Sequence, residues 1–277
     1  MEARQQLKGP WALMAAALLA GALAGCGGGK QDSLARIRQA GVLKWGADPS
    51  GGAPFAFFNP KEPEEVIGFE VDMMECVGKH LGLKTEIVRA DWDTLIDVLK
   101  RGDCDVVVNG IEINPEREKE VLFSAPYYEY EQQLAVRVAD STRYTSLDSL
   151  KGKKIATLVA AESNNVLKRA GWSDDLIQPM KDSQQPYDEL KLGRVEAVLQ
   201  EDIIGAYYVK NYPELCMVPK GFEPGRYAMA LRKEDKELAA ELDRIVSRMK
   251  ENGELAAIYI KWNILTPRQT ALGVKVK

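Results

Sequence analysis

The stretch Gly110–Tyr128, GIEINPEREKEVLFSAPYY, is the part of the sequence from which the fold is best interpreted. It follows Val106–Val108, a short apolar run that is typical of a fully buried strand. The loop after that strand carries one arginine, Arg117. A planar guanidinium on a strand-to-helix loop can hold a carboxylate through two hydrogen bonds. Arg117 is therefore a candidate anion-binding residue, and a surface ion pair with a neighbouring glutamate is the alternative.

Composition excludes several classes of protein. The chain has 277 residues, 45% of them hydrophobic and 28% charged, which is enough to bury a large core in one or two domains. A formal charge of −4 without a basic stripe argues against nucleic-acid binding. His80 is the single histidine and no CxxC spacing occurs, so we expect no metal and no cofactor. Any disulfide among Cys76, Cys104 and Cys216 is left open.

The N-terminus is typical of an export signal. Trp11–Ala22 is apolar, follows basic residues and is too short for a confident transmembrane helix. Leu23–Cys26 places small residues before a cysteine and resembles the bacterial lipobox, in which cleavage precedes a lipidated cysteine. We therefore expect a lipoprotein signal peptide over residues 1–25, and a lipid-anchored tether with the start of lobe 1 over residues 26–39. The mature protein would be exported and anchored to the membrane, facing the periplasm or the cell exterior.

Strands and helices alternate in the first third of the chain, as in a doubly wound α/β lobe. The helix predicted to open at Gly68–Asp72 has apolar residues at helical spacing and stops at Gly82. A second β/α unit begins at Lys153–Leu158. Asp48 and Glu201 each stand at the carboxyl end of a predicted strand, where open α/β sheets usually bind their ligands.

Motifs in a fixed order resemble those of the family 3 extracellular solute-binding proteins, the amino-acid receptors of bacterial ABC importers. The ordered segments include Gly68–Asp72, Pro115–Arg117, Phe123–Tyr127, Gly193–Val198 and Lys261–Trp262. The resemblance covers about residues 40–263 and implies an α/β, periplasmic-binding-protein-like type II fold, with two doubly wound lobes joined by two hinge strands. The expected boundaries are residues 40–129 for the first part of lobe 1, 130–224 for lobe 2, and 225–277 for the return to lobe 1 and the C-terminal tail.

The resemblance also implies a ligand site. Arg117 would clamp an α-carboxylate, supported by the backbone of Gly110, and Glu201 would take the α-ammonium. Trp92 would pack against the ligand side chain, and Asp48 would contact its polar end. The other residues expected in the ligand site are Phe55, Asn109, Glu112, Leu158, Ala161, Glu162 and Ser163.

One departure from the family pattern concerns Glu112, which stands where the family usually has a threonine or serine that donates to the ligand carboxylate. An ionised glutamate cannot donate a hydrogen bond. Glu112 must therefore turn away, pair with Arg117 or meet a cationic ligand group. Together with Asp48, Glu162 and Glu201 it would make an acid-rich cleft, which favours a polar or basic amino acid. The alternative is that Glu112 and Glu162 point to solvent.

The expected function is that of an extracytoplasmic receptor, which binds a free amino acid between its lobes and delivers it to an ABC transporter permease. We expect a monomer that is not an enzyme. The alternative is a cyclohexadienyl (prephenate or arogenate) dehydratase-like enzyme on the same scaffold. A ring acid with two carboxylates would fit poorly beside Glu112, which favours the receptor.

Overall fold

The computed structural model describes residues 33–277, so the expected signal peptide, Cys26 and the glycine-rich tether after it lie outside the described residues. Short strands and helices alternate along the described chain. The strands are β1 (Val42–Ala47), β2 (Phe57–Phe58), β3 (Val66–Ile67), β4 (Lys84–Arg89), β5 (Val106–Val107), β6 (Leu122–Phe123), β7 (Tyr128–Arg137), β8 (Ile155–Leu158), β9 (Ile177–Met180), β10 (Ala197–Glu201), β11 (Leu215–Met217), β12 (Phe222–Tyr227) and β13 (Ala230–Leu231). The α-helices are α1 (Ser33–Ala40), α2 (Phe69–Leu81), α3 (Leu95–Arg101), α4 (Pro115–Glu120), α5 (Glu162–Arg169), α6 (Gln185–Lys191), α7 (Asp202–Val209), α8 (Lys236–Asn252), α9 (Glu254–Lys261) and α10 (Pro267–Ala271).

The sheet of lobe 1 has five strands in the order β4-β1-β5-β13-β6. Strand β1 runs parallel to β4 and β5, and β13 returns antiparallel between β5 and β6. Parallel neighbours require crossover connections, which α2 and α3 supply. Helix α2 forms where predicted: Phe69, Met73 and Val77 are fully buried along one face, and Gly82 ends the helix in the left-handed conformation.

The sheet of lobe 2 contains β11, β7, β10, β8 and β9 in that order, with β12 paired to β7. Strands β8, β9 and β10 are parallel, whereas β7 runs antiparallel to β10. Helices α5, α6 and α7 connect or cover these strands. The predicted two-lobed α/β architecture is confirmed.

Two long strands carry the chain between the lobes. Strand β7 follows β6 of lobe 1 and enters the second sheet, and β12 leaves that sheet shortly before β13. The two run antiparallel, with Tyr227 opposite Tyr128. Buried tyrosine rings hold this crossing together, since Tyr130 and Tyr227 stack with ring centroids 4.5 Å apart. The residues at which one lobe gives way to the other stay a prediction, because both strands run continuously through the expected boundaries.

Several elements differ from the sequence-based expectation. Strand β9 escapes a pattern search because Pro179 lies within it, and β11 and α10 were not expected. Arg117, expected on a loop, lies in the short helix α4. The reason is local, since the Asn114 side chain accepts a hydrogen bond from the Arg117 N–H at 2.9 Å and Pro115 occupies the first helical position. Within residues 33–277, no helix combines the length and the apolar character needed to span a bilayer.

Gly68 provides a test of how tightly the loop before α2 is packed. Its φ is 151°, and an added Cβ would lie 1.8 Å from the Phe55 carbonyl oxygen. We expect Gly68→Ala to lower the free energy of unfolding by at least about 3 kcal/mol, measured by urea denaturation. Gly82→Ala is the matched control, because Gly82 also has a positive φ but no atom within 4 Å of an added Cβ. It should cost only about 1–2 kcal/mol. Equal losses would contradict the packing argument.

Candidate functional site

A cavity in the cleft between the two lobes encloses about 390 Å³ of empty space, part of which is open to solvent. Many of the expected site residues line it: Asp48, Phe55, Trp92, Asn109, Gly110, Glu112, Leu158, Ala161 and Glu201. The cavity is also lined by Gly51, Gly52, Lys181, Ser183, Ile204 and Tyr227. Three expected residues, Arg117, Glu162 and Ser163, do not belong to the lining.

The lining residues converge because strands of both sheets end at the cavity. Asp48 follows β1, Asn109 and Gly110 follow β5, and Leu158 and Glu201 end β8 and β10. The carboxyl ends of parallel strands meet at one edge of a sheet, which is where ligands bind in open α/β folds. Gly110 has a φ of 62°, and an added Cβ would lie 2.8 Å from the Phe55 ring. The chain can thus turn into the site only with glycine here.

Asp48 organises the lobe 1 side of the cavity. Its carboxylate accepts hydrogen bonds from the backbone N–H groups of Ser50 at 2.9 Å and Trp92 at 3.1 Å. Its own N–H donates to the Asn109 side chain at 2.7 Å. Burial is the main reason that the pKa of Asp48 is raised, although these backbone donors oppose the shift. Asp48 therefore joins three loops while its side chain lines the cavity.

Arg117 is paired within the protein. Its Nη1 donates to the Glu112 carbonyl oxygen at 3.1 Å and to the Glu112 carboxylate, and its Nη2 donates to the Ala160 carbonyl oxygen at 3.0 Å. The guanidinium carbon lies 5.3 Å from the centre of the Trp92 ring. Burial is the largest single influence and lowers the pKa of Arg117, but the charge and hydrogen bond of Glu112, together with Tyr130 and Glu201, raise the pKa overall. Of the three options for Glu112, the structure selects pairing with Arg117, and Glu112 is only 2% exposed.

Glu112 also contacts Glu201, so two carboxyl groups meet at the wall of the cavity. Burial first, and then the charge and hydrogen bond of Glu112, raise the pKa of Glu201 to about 8. Gln132 Nε2 lies 3.3 Å from Glu201 Oε1. Because Glu112 is neutralised by Arg117, we assign the shared proton to Glu201, which donates to Glu112 at neutral pH. An arriving ammonium group would favour ionisation of Glu201.

Hydrogen bonds cross the cleft beside this pair. The Trp92 indole N–H donates to the Val159 carbonyl oxygen at 2.8 Å. The Glu162 backbone N–H donates to Glu112 Oε1 at 3.0 Å, and Asn114 Nδ2 donates to the Glu162 carboxylate at 3.1 Å. These bonds join lobe 1 side chains to the start of α5 in lobe 2, and they hold the lobes together around the cavity.

Glu162 and Ser163, both expected to contact a ligand, lie elsewhere. The Glu162 carboxylate accepts hydrogen bonds from the Asn114 side chain across the cleft and from Asn165. It also accepts a hydrogen bond from Arg169 at 2.8 Å. Ser163 is fully buried, and within residues 33–277 its hydroxyl has no hydrogen-bond partner. Glu162 thus closes the cleft rather than lining it, and it does not point to solvent.

The family model of bacterial extracellular solute-binding proteins, family 3, matches residues 43–264. The chain belongs to this family. It is 30% identical over 258 residues to the probable histidine-binding protein of Neisseria gonorrhoeae, covering 91% of this chain and 94% of that protein. It is 29% identical over 258 residues to the arginine-binding extracellular protein ArtP of Bacillus subtilis (strain 168), covering 90% and 96%.

Solved structures agree with this family assignment. The crystal structure of the ancestral amino acid-binding protein AncCDT-1, a precursor of cyclohexadienyl dehydratase, superposes with a TM-score of 0.76 at 29% identity. That comparison covers 83% of this chain and 99% of the other. The resemblance inferred from ordered motifs is confirmed.

The solute-binding protein differs from the sequence-based picture of its site in ways that have identifiable causes. Gly52 lines the cavity but was not expected there, and an added Cβ would lie 2.5 Å from the Asp48 carbonyl oxygen, so no side chain fits. Lys181 and Ser183 follow β9 and were missed because Pro179 conceals that strand. The rule that placed Asp48 at a strand end would have found them. Tyr227 also lines the cavity and was not among the expected site residues.

Within residues 33–277, no group of three or more histidine, cysteine, aspartate or glutamate side chains is arranged to hold a metal ion. Cys76, Cys104 and Cys216 are all free thiols, which answers the question left open by the sequence. Burial is the main reason that the pKa of Cys104 is raised to about 11, so it remains a thiol at neutral pH.

The Glu201 proton predicts how stability depends on pH. The folded state holds this proton more tightly than the unfolded chain, so stability falls as pH rises from the ordinary glutamate pKa of 4.5 through about 8. The melting temperature of the wild type should fall between about pH 5 and about pH 9. We expect this fall to be smaller by several degrees in Glu201→Gln. Glu64→Gln, at an exposed position, is the control and should leave the curve unchanged. A decline as steep in Glu201→Gln as in the wild type would contradict the assignment.

Proposed function

We propose that this chain is an extracytoplasmic receptor, which binds a free amino acid in the interlobe cavity and delivers it to the permease of an ABC importer. The favoured ligand is a polar or basic amino acid. The chain acts as a monomer and captures its ligand by closure of the two lobes. The relatives named for histidine and arginine binding support this proposal.

The observation that carries the proposal is the acid-lined cavity between the lobes. A zwitterion that leaves water needs both of its charges matched, because unpaired buried charges are costly. Glu201 and Glu112 lie side by side at one part of the wall and would receive an ammonium group. Asp48 lines the same cavity and would receive a second polar or cationic group. This surplus of carboxyl groups favours a basic side chain over an acidic one.

The proposed seat for the ligand carboxylate is Arg117. Its present partner, the Glu112 carboxylate, lines the cavity directly. An entering α-carboxylate would replace Glu112 on the guanidinium, and Glu112 would turn to the ligand's cationic group. Charge-assisted hydrogen bonds of this kind contribute roughly 1.5–3 kcal/mol each. A binding role is favoured over a dehydratase role, since a dicarboxylate would face Asp48, Glu112 and Glu201 together.

A thermal-shift panel of the twenty amino acids plus prephenate tests the ligand class. Binding to the native state raises the apparent melting temperature. We expect a basic or polar amino acid to give the largest shift and prephenate to give none. In Arg117→Ala, the affinity for that amino acid should fall at least about 100-fold, which is about 2.7 kcal/mol, by calorimetry.

Arg194→Ala is the matched control for the arginine variant, because Arg194 forms an exposed ion pair with Glu189 and does not line the cavity. Removing Arg117 leaves Glu112 without its ion-pair partner. The double variant Arg117→Ala/Glu112→Thr therefore provides a second measurement if the single variant melts early. Unchanged affinity in both variants would overturn the assignment of Arg117.

The membrane anchor is the final part of the proposal. Cys26 is the proposed site of lipidation, and it would tether the receptor to the membrane beside its permease. We expect Cys26→Ala to move the mature protein from the membrane fraction to the soluble fraction of the exported material. Cys76→Ala is the control, because that cysteine lies within α2. Membrane retention of the Cys26 variant would refute the lipid anchor.

A further inference from the structure

Arg117, the proposed binding residue for a ligand carboxylate, is already paired with a carboxylate of the protein. Arg117 donates to the Glu112 side chain, to the Glu112 carbonyl oxygen at 3.1 Å and to the Ala160 carbonyl oxygen at 3.0 Å. Its face lies over the Trp92 ring. The guanidinium is thus satisfied by the protein and does not line the cavity. An amino acid must break this pairing before its carboxylate can reach Arg117.

Glu112 is held firmly in this role. Its other oxygen, Oε1, accepts the Glu162 backbone N–H at 3.0 Å, and its carboxylate is hydrogen-bonded to Glu201. The side chain is 2% exposed. One carboxylate oxygen is thus bonded to Arg117 in lobe 1, and the other is bonded to Glu162 in lobe 2. Displacing Glu112 from Arg117 costs free energy. A ligand without a carboxylate can bind without this displacement.

The remaining wall of the cavity suits a cation. Asp48, Glu112 and Glu201 line it with carboxyl groups, and Phe55 and Tyr227 line it with aromatic rings. The Tyr227 hydroxyl is buried, with the residue 1% exposed, and within residues 33–277 it has no hydrogen-bond partner. It is an independent polar group at the site that a ligand amine or guanidine could satisfy.

The surface next to the cavity is also rich in carboxylates. A second pocket adjoins the cavity and shares Asp48, Gly51, Trp92 and Lys181 with it. Its other polar lining residues include Asp91, Asp93 and Asp182. Lys181 is the cationic side chain in both linings, and it stands among these carboxylates. This excess of carboxylates raises the local concentration of positively charged solutes beside the cavity.

We propose that the cleft also binds organic cations of amino-acid size that have no carboxylate, namely primary amines with a second ammonium or a guanidinium group. The amine sits against the Glu112 and Glu201 carboxyl groups, and the second cation sits against Asp48. Arg117 stays paired with Glu112 throughout. This inference uses the cleft of the proposed function but extends its ligands beyond amino acids.

Calorimetry on the purified full chain in detergent tests the proposal with matched pairs of compounds. The pairs are arginine with agmatine and lysine with cadaverine, which differ only in the carboxylate. We expect agmatine or cadaverine to bind within about tenfold of its amino-acid partner, a difference of about 1.4 kcal/mol. Amino acids that bind while both amines are more than about 100-fold weaker would overturn the inference and leave the proposed function intact.

The other outcomes separate the two proposals as well. If the amines bind and no amino acid binds, the inference is supported and the proposed function as an amino-acid receptor is overturned. A chain that binds none of the four compounds, while a neutral amino acid does bind, would overturn the inference alone. If no amine and no amino acid binds, both proposals fail.

The Glu112→Thr variant tests the mechanism, because it removes the internal carboxylate and opens Arg117 to the carboxylate of a ligand. Agmatine should weaken relative to arginine by at least about tenfold compared with the wild-type ratio. Glu112→Gln, which keeps the size of the side chain and an acceptor for Arg117, is the second variant if the threonine variant melts early. Glu64→Gln, at an exposed position, is the control and should leave the ratio unchanged. An unchanged ratio in both Glu112 variants would overturn the inference.

Discussion

The ion pair between Arg117 and Glu112 is the interaction on which the rest of the cleft depends. A largely buried guanidinium requires a counter-charge, and Glu112 supplies it from the loop just before α4. Once neutralised, Arg117 can donate to Ala160 in lobe 2 while it lies over Trp92. The second Glu112 oxygen receives the backbone N–H of Glu162 at the start of α5. One ion pair therefore sets both the closure of the lobes and the chemistry of their shared wall.

The same pair gives this family member its acidic cleft. A threonine or serine in place of Glu112 would present a hydroxyl and leave the arginine available to a ligand. Glu112 instead brings a second carboxyl group beside Glu201, whose pKa rises because of burial and this neighbour. Two buried carboxyl groups in contact hold one proton more easily than none. Ligand charge, proton occupancy and pairing of Arg117 are thus coupled at one place.

Much of the site was predictable because it lies at the carboxyl ends of strands. Asp48, Asn109 and Glu201 follow apolar runs that the sequence shows clearly, and all three line the cavity. Lys181 was missed because the proline in β9 breaks the strand pattern. Glu162 was misplaced for a different reason, since its side chain turns to Asn114 and Arg169 outside the cavity. Asn114 is far from Glu162 along the chain, although Arg169 lies seven residues away in the same helix α5.

The sequence by itself determined the alternation of strands and helices and the helix faces. It also contains the local signals for the capped helix that carries Arg117, although that helix was not predicted. These features arise from spacing and from residues close together in the chain, such as Asn114 and Pro115. Only the tertiary structure decided what Glu112 does. Its local pattern is the same whether it faces solvent, a ligand or an arginine. Its partners come from three separate segments of the chain, and folding alone brings Arg117, Glu162 and Glu201 around one carboxylate.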